Sequence, residues 1–167
     1  RALLPARTGV LRSSYLRRMR QAILDTAPPA IPLRDASGVL MITGGLGPGG
    51  AERQIVNTLA GLSGVNSGRL TLMHELGMQS PHDFFLSEID QAKVSVVPLV
   101  PLQLKTKKEW LEQPGFVALW DYLAPLGDTR NEVVAYAMAI RQLRPRVVHA
   151  WLDRINVVAG LAAALVG

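Results

Sequence analysis

Residues 38–56 read Gly-Val-Leu-Met-Ile-Thr-Gly-Gly-Leu-Gly-Pro-Gly-Gly-Ala-Glu-Arg-Gln-Ile-Val. Val39 to Thr43 is a short apolar run, the pattern of a strand buried in a parallel sheet. Gly44, Gly45, Gly47, Gly49 and Gly50 then supply five glycines in seven residues, with Pro48 among them. Beyond the glycines, Ala51, Ile55, Val56, Leu59 and Leu62 mark one face of a helix that Gly64 closes. A strand that enters a helix through a loop almost without side chains poses a physical question. Either the loop is a tight turn that needs positive φ, or something comes very close to its backbone.

The rest of the chain continues the alternation. Arg69 to His74 reads as a second strand, Phe84 to Ala92 as a short helix, and Val94 to Val97 as a third strand. Residues 98–116, rich in proline and lysine, read as loop. Thr129 and Glu132 have the spacing of a capping box, opening a helix with Val133, Val134, Ala137, Ile140 and Leu143 that stops before Pro145. Arg146 to Trp151 reads as a fourth strand, and Asn156 to Val166 as a last helix. Such alternation predicts an α/β fold, a Rossmann-like doubly wound parallel sheet with helices on both faces. Residues 38–167 form this domain.

Residues 1–37 are different. They carry seven arginines against Asp25 and Asp35, while the remaining residues balance 11 basic against 11 acidic side chains. The net charge of +5 and the pI of about 10.1 therefore describe an arm and not a domain. That argues against a nucleic-acid surface across the domain. In the arm, Leu11, Tyr15, Met19 and Ala22/Ile23 recur at helical spacing, with Arg12, Arg17, Arg18 and Arg20 on other faces. Such a helix either docks on the domain or lies on an anionic membrane surface. Pro28, Pro29 and Pro32 form the linker that ends it.

With 49% hydrophobic and 19% charged residues the composition is globular, not disordered. There is no cysteine, hence no disulfide or thiolate chemistry. No apolar stretch reaches the roughly 18 residues that span a bilayer. The first residues lack the layout of a signal peptide. A cytoplasmic protein is the expectation, peripheral to a membrane only if the arm lies on that surface rather than on the domain.

The glycine loop lies at the carboxyl end of a strand, where doubly wound sheets bind ligands. Free amides and the positive end of the helix dipole would face a ligand there, and a Cβ would hold it off. Read literally, Gly45-x-Gly47-x-x-Gly50 is the GxGxxG dinucleotide pattern, and Glu75, past the second strand, stands where a ribose-binding acid belongs. That reading gives an NAD(P)-binding oxidoreductase domain. Pro48 removes a donor from the cradle and Glu52 repels a pyrophosphate, with Arg53 partly offsetting it. No Lys-Ser/Thr pair follows, which excludes a Walker loop.

The string Gly-Gly-Leu-Gly-Pro-Gly-Gly-Ala-Glu-Arg-Gln resembles the N-terminal signature of family-four (group 1) glycosyltransferases. A second segment, Arg-Pro-Arg-Val-Val-His-Ala-Trp-Leu-Asp-Arg-Ile-Asn-Val-Val-Ala-Gly-Leu-Ala-Ala, resembles the family's fourth strand and the small-residue helix after it. The resemblance implies the N-terminal half of a GT-B fold, in which two Rossmann-like domains face a cleft. It further implies sugar transfer from a nucleotide-sugar donor to a glycan or lipid-linked acceptor, with retention and without a metal ion or other cofactor. Residues 38–167 would then be most of the acceptor-side domain. They are expected to be inactive without a second domain that binds the nucleotide sugar.

By the same resemblance, Gly44, Gly45, Gly47, Gly49, Gly50, Glu52 and Arg53 line the donor phosphates or acceptor. Chemically, Glu52 and Arg53 serve equally well as an exposed first-turn ion pair. His149, at the end of the fourth strand, is either a ligand contact or a satisfied structural histidine. Family members often place a further histidine in the following loop. Here Trp151, Asp153, Arg154 and Asn156 occupy that neighbourhood, and Asp153, Arg154 or Asn156 takes its place. Trp151 either stacks on a sugar ring or fills the core. His74 is an acceptor-site candidate at the second strand's end, and His82 has no assigned role. Three histidines so dispersed make no metal site. The remaining alternative is a non-catalytic module that docks a membrane or partner through its arm.

Overall fold

A computed structural model describes residues 17, 18, 21, 37–65, 68–76, 79–99, 120, 121 and 123–166. Arg17 and Arg18 are helical and exposed. The rest of the arm's amphipathic pattern, its proline linker and residues 100–116 of the expected loop lie outside the described residues.

The element order is β1 (Val39–Thr43), α1 (Gly50–Gly64), β2 (Leu70–His74), α2 (Leu86–Gln91), β3 (Ser95–Pro98), a 3-10 turn (Ala124–Leu126), α3 (Thr129–Leu143), β4 (Val147–Ala150) and α4 (Asp153–Val166). All strand pairs are parallel, in the order β3-β2-β1-β4. The α/β expectation therefore holds, with boundaries shifted by a few residues. The last helix begins at Asp153, three residues before Asn156.

The period of two along β1 divides the core. Leu40 and Ile42, with Met73 of β2, meet Val133, Val134, Ala137 and Ile140 of α3 and Ile155, Val158 and Ala162 of α4. Met41, with Leu70 and Leu72 of β2, meets Ile55, Val56 and Leu59 of α1 and Phe85 and Ile89 near α2. Apolar residues on both faces of a central strand require a cover on each. The connections agree. The chain moves from β1 to β3 in one direction, then returns past β1 to β4. Right-handed crossovers running in opposite directions put their helices on opposite faces. Among the described residues no helix is long and apolar enough to cross a membrane.

One local expectation fails. Thr129 and Glu132 form no capping box, since α3 has no side-chain cap hydrogen bond. Asp128, before the helix, already has helical torsions (φ −67°, ψ −25°). The amides of Arg130 and Asn131 donate to the carbonyls of Gly127 and Asp128, at 3.3 and 3.1 Å. Backbone acceptors thus serve the first amides of the helix, among them the Asn131 donor that the threonine hydroxyl could have capped, and Glu132 is held by Arg154 instead. Thr129→Ala is accordingly expected to change stability by less than about 0.5 kcal/mol, against about 1 kcal/mol for a working cap. Urea unfolding measures the difference. A loss of about 1 kcal/mol would restore the capping box.

Candidate functional site

The strand order reverses between β1 and β4, so the carboxyl ends of these two neighbours form the switch point where doubly wound sheets bind ligands. The glycine loop leaves β1 at that point, and the turn into α4 leaves β4 beside it. The two touch. A Cβ on Gly44 would lie 3.5 Å from Ile155 Cδ1 and 4.0 Å from Leu152 Cδ1. Two segments about a hundred residues apart in the chain thus meet at one edge of the sheet.

None of the five loop glycines has a positive φ, so none is there for a left-handed turn. What each one faces differs. Gly45 is covered by His82, whose Nδ1 would stand 3.2 Å from a Cβ there, and Gly47 faces the Pro81 carbonyl at 3.4 Å. The Glu52 carboxylate fills the place of a side chain on Gly49. Gly50 is exposed and has nothing within 4 Å of its Cβ position. The loop is therefore bared twice over, toward the protein's own residues 81–82 in its first half and toward open space at the helix start.

Part of the loop's polar backbone is already in use. Leu46 N–H donates to the His82 carbonyl at 3.0 Å, and the Leu46 carbonyl accepts from Phe85 N–H at 3.2 Å. Gly49 N–H donates to Gly47 at 2.7 Å. Arg53 is exposed, its guanidinium 5.4 Å from the centre of the Phe85 ring, a cation–π contact.

His149 on β4 and Trp151, one residue beyond its end, stack face to face, ring centroids 5.0 Å apart and planes 21° from parallel. His149 is exposed, while Trp151 is half-buried against the α1 side of the core. Its Nε1 is buried with no hydrogen-bond partner among the described residues. Leu152, next in the chain, has φ 77°, a conformation that costs a bulky residue of order 1–3 kcal/mol. His74 ends β2 fully buried. Its ring Nδ1 lies within hydrogen-bond reach of the Leu76 carbonyl, which can only accept, so Nδ1 carries the proton. Nε2 is buried and without a partner among the described residues.

Asp153, Arg154 and Asn156 all lie in the first turn of α4 and are exposed. Arg154 bonds two carboxylates, Glu75 just past β2 and Glu132 in the first turn of α3. The other Glu75 oxygen accepts from the Tyr136 hydroxyl at 2.5 Å. Burial lowers the acidity constant's exponent for Arg154, but the two glutamates outweigh it and hold the guanidinium more firmly charged than usual. Glu75, which the dinucleotide reading assigns to a ribose, is thus engaged through both oxygens. The cluster of one arginine and two glutamates sums to a net negative charge, while on the α1 side the Arg53 charge is matched by the Glu52 carboxylate lying over Gly49.

Tyr136 is fully buried. Burial first, then the hydrogen bond to Glu75, push its pKa far above the usual tyrosine value. A raised folded-state pKa favours the protonated form. Its contribution to stability is complete below the unfolded tyrosine value of about 10 and is lost as pH rises beyond that. Alkaline titration followed by phenolate absorbance is expected to show Tyr136 ionising only with unfolding, and Tyr136→Phe is expected to remove that step. Simple titration of all three tyrosines near pH 10 would contradict it.

Sequence reading named the loop, His149 and the α4 turn as candidates, and the fold sets the loop and the turn at one edge of the sheet. That reading missed His82, Leu152, Glu132 and Tyr136. The Arg154 partners lie 22 and 79 residues away in the chain, a separation without local signal. Among the described residues no group of three or more His, Cys, Asp or Glu side chains is arranged to hold a metal ion. In comparisons with known proteins, the chain matches no family model, no curated protein and no solved structure.

Proposed function

We propose that this domain is the acceptor side of a retaining GT-B glycosyltransferase that moves a sugar from a nucleotide-sugar donor to a glycan or lipid-linked acceptor. The carrying observation is that Ile155 and Leu152 stand where a side chain on Gly44 would lie, at the β1/β4 switch point. It brings together the two segments that resemble the glycosyltransferase family. The open backbone at Gly50 is one wall for the donor diphosphate, with Arg53 offsetting the Glu52 carboxylate beside it. His149 and Trp151 offer a stacked aromatic surface for a sugar ring. Asp153 and Asn156 supply exposed polar groups for hydroxyls. The strained Leu152 fits a turn held for a ligand and not for its own stability.

In such a reaction the protein aligns the acceptor hydroxyl beside the departing nucleoside diphosphate, whose charge is held by amides and basic groups. The nucleotide itself belongs to a second domain, and the chain works in the cytoplasm with its basic arm on an anionic membrane surface. No resident cofactor takes part.

The test is to incubate the full-length protein with a panel of nucleotide sugars and candidate acceptors and to measure nucleoside diphosphate release. Gly50→Ala separates function from folding. With nothing within 4 Å of the new methyl, stability is expected to stay within about 0.5 kcal/mol. At the same time kcat/KM is expected to fall roughly tenfold or more as the methyl holds off the diphosphate. Transfer that is unaffected by Gly50→Ala would remove the loop from the site. Reduction of a carbonyl substrate with NADH, and no transfer, would select the oxidoreductase reading.

A further inference from the structure

His82 follows no motif, yet the fold lays it on the glycine loop. Residues 82–85 run beside Gly45–Gly47, tied through Leu46 N–H to the His82 carbonyl and Phe85 N–H to the Leu46 carbonyl. The imidazole covers Gly45. It is half-buried and makes no hydrogen bond to any described residue. The same short segment holds Phe85, over which the Arg53 guanidinium lies. One imidazole therefore lies over the loop at Gly45, and one guanidinium lies over Phe85 of the same segment. The neighbouring carboxylates are Asp83, next in the chain, and Glu52, lying over Gly49.

We propose that His82 is a contact residue of the glycine-loop site, donating a hydrogen bond from its imidazole to the diphosphate of the ligand. This rests on the reading of the loop as a diphosphate wall. A histidine present only for packing needs its flat ring and not its nitrogens. A ligand contact needs a donor, and a half-shielded ring strengthens a bond to an anion relative to one in open water. His82→Phe keeps a flat ring over Gly45 and removes the nitrogens, whereas His82→Asn keeps a donor.

The experiment titrates inorganic pyrophosphate into the full-length protein labelled with 15N-glycine, with the melting temperature of each variant as the folding control. Shifts of the loop glycine amides are expected in the wild type. His82→Phe is expected to weaken binding about fivefold or more, and His82→Asn to stay within about twofold of the wild type. Equal affinity of His82→Phe and wild type, with the loop glycines still shifting, would overturn the role of His82 and leave the loop reading intact. Loop glycines that ignore pyrophosphate in the wild type would overturn both. Should His82→Phe not fold, the imidazole proton resonance of His82 decides. Movement in parallel with the glycines supports the contact, and a resonance that stays put overturns it.

Discussion

Gly38→Ala is expected to destabilise the domain by about 3 kcal/mol or more, enough to lower the melting temperature by about 6–12 °C. Gly38 has φ 84°, in the left-handed region, and a Cβ there would be driven into the Arg69 carbonyl. The obstacle is backbone and cannot swing aside. That carbonyl also accepts from Val39 N–H at 2.8 Å, while the Gly38 carbonyl accepts from Arg146 and Val147 at 3.0 and 3.3 Å. The substitution therefore strains the entry of β1 between both neighbours at once. Thermal melting with Gly50→Ala as companion makes the comparison internal, because both add one methyl to a glycine. A Gly38→Ala protein as stable as the wild type would show that the strand entry is not as drawn.

The second large effect concerns the cluster at the carboxyl edge. Glu75→Ala is expected to cost about 2 kcal/mol, mostly because the buried Tyr136 hydroxyl loses its acceptor. The ion pair with Arg154 adds only a few tenths, since that side chain is 57% exposed and screened by water. Two controls apportion the loss. Tyr136→Phe removes the hydroxyl that needs a partner, so adding Glu75→Ala to it is expected to cost well under 1 kcal/mol. Arg154→Ala alone is expected to cost less than Glu75→Ala. If Glu75→Ala were silent, or if the two losses added in full, the hydroxyl would not depend on Glu75.

The core was legible where its period was. Leu40/Ile42 against Met41 is a two-sided strand in the sequence and in the fold, and the helical stripe Ile55, Val56, Leu59 is buried as spaced. The site was legible as two edges but not as a whole. The meeting of Gly44 with the β4–α4 turn depends on β4 lying next to β1, which no local pattern encodes. The capping box had the right letters, but a preceding turn already in helical conformation supplied other acceptors. Glycine richness pointed to close approach, yet it could not say that His82 and Glu52 do some of the approaching. Glu75 carried a sequence rationale as a ribose acid, and tertiary neighbours at 61 and 79 residues' distance in the chain engage it instead.

If the proposed function is right, a nucleotide-sugar ligand meets this domain at the carboxyl ends of β1 and β4. Hydrogen–deuterium exchange of the full-length protein, with and without the nucleoside diphosphate released in the transfer assay, addresses it most directly. Slowed exchange is expected in peptides covering residues 44–56, 79–85 and 149–156, with the amino-end turns at 37–39 and 144–147 unchanged. Binding that leaves the first three peptides unprotected, or protects only the amino-end turns, would contradict the claim.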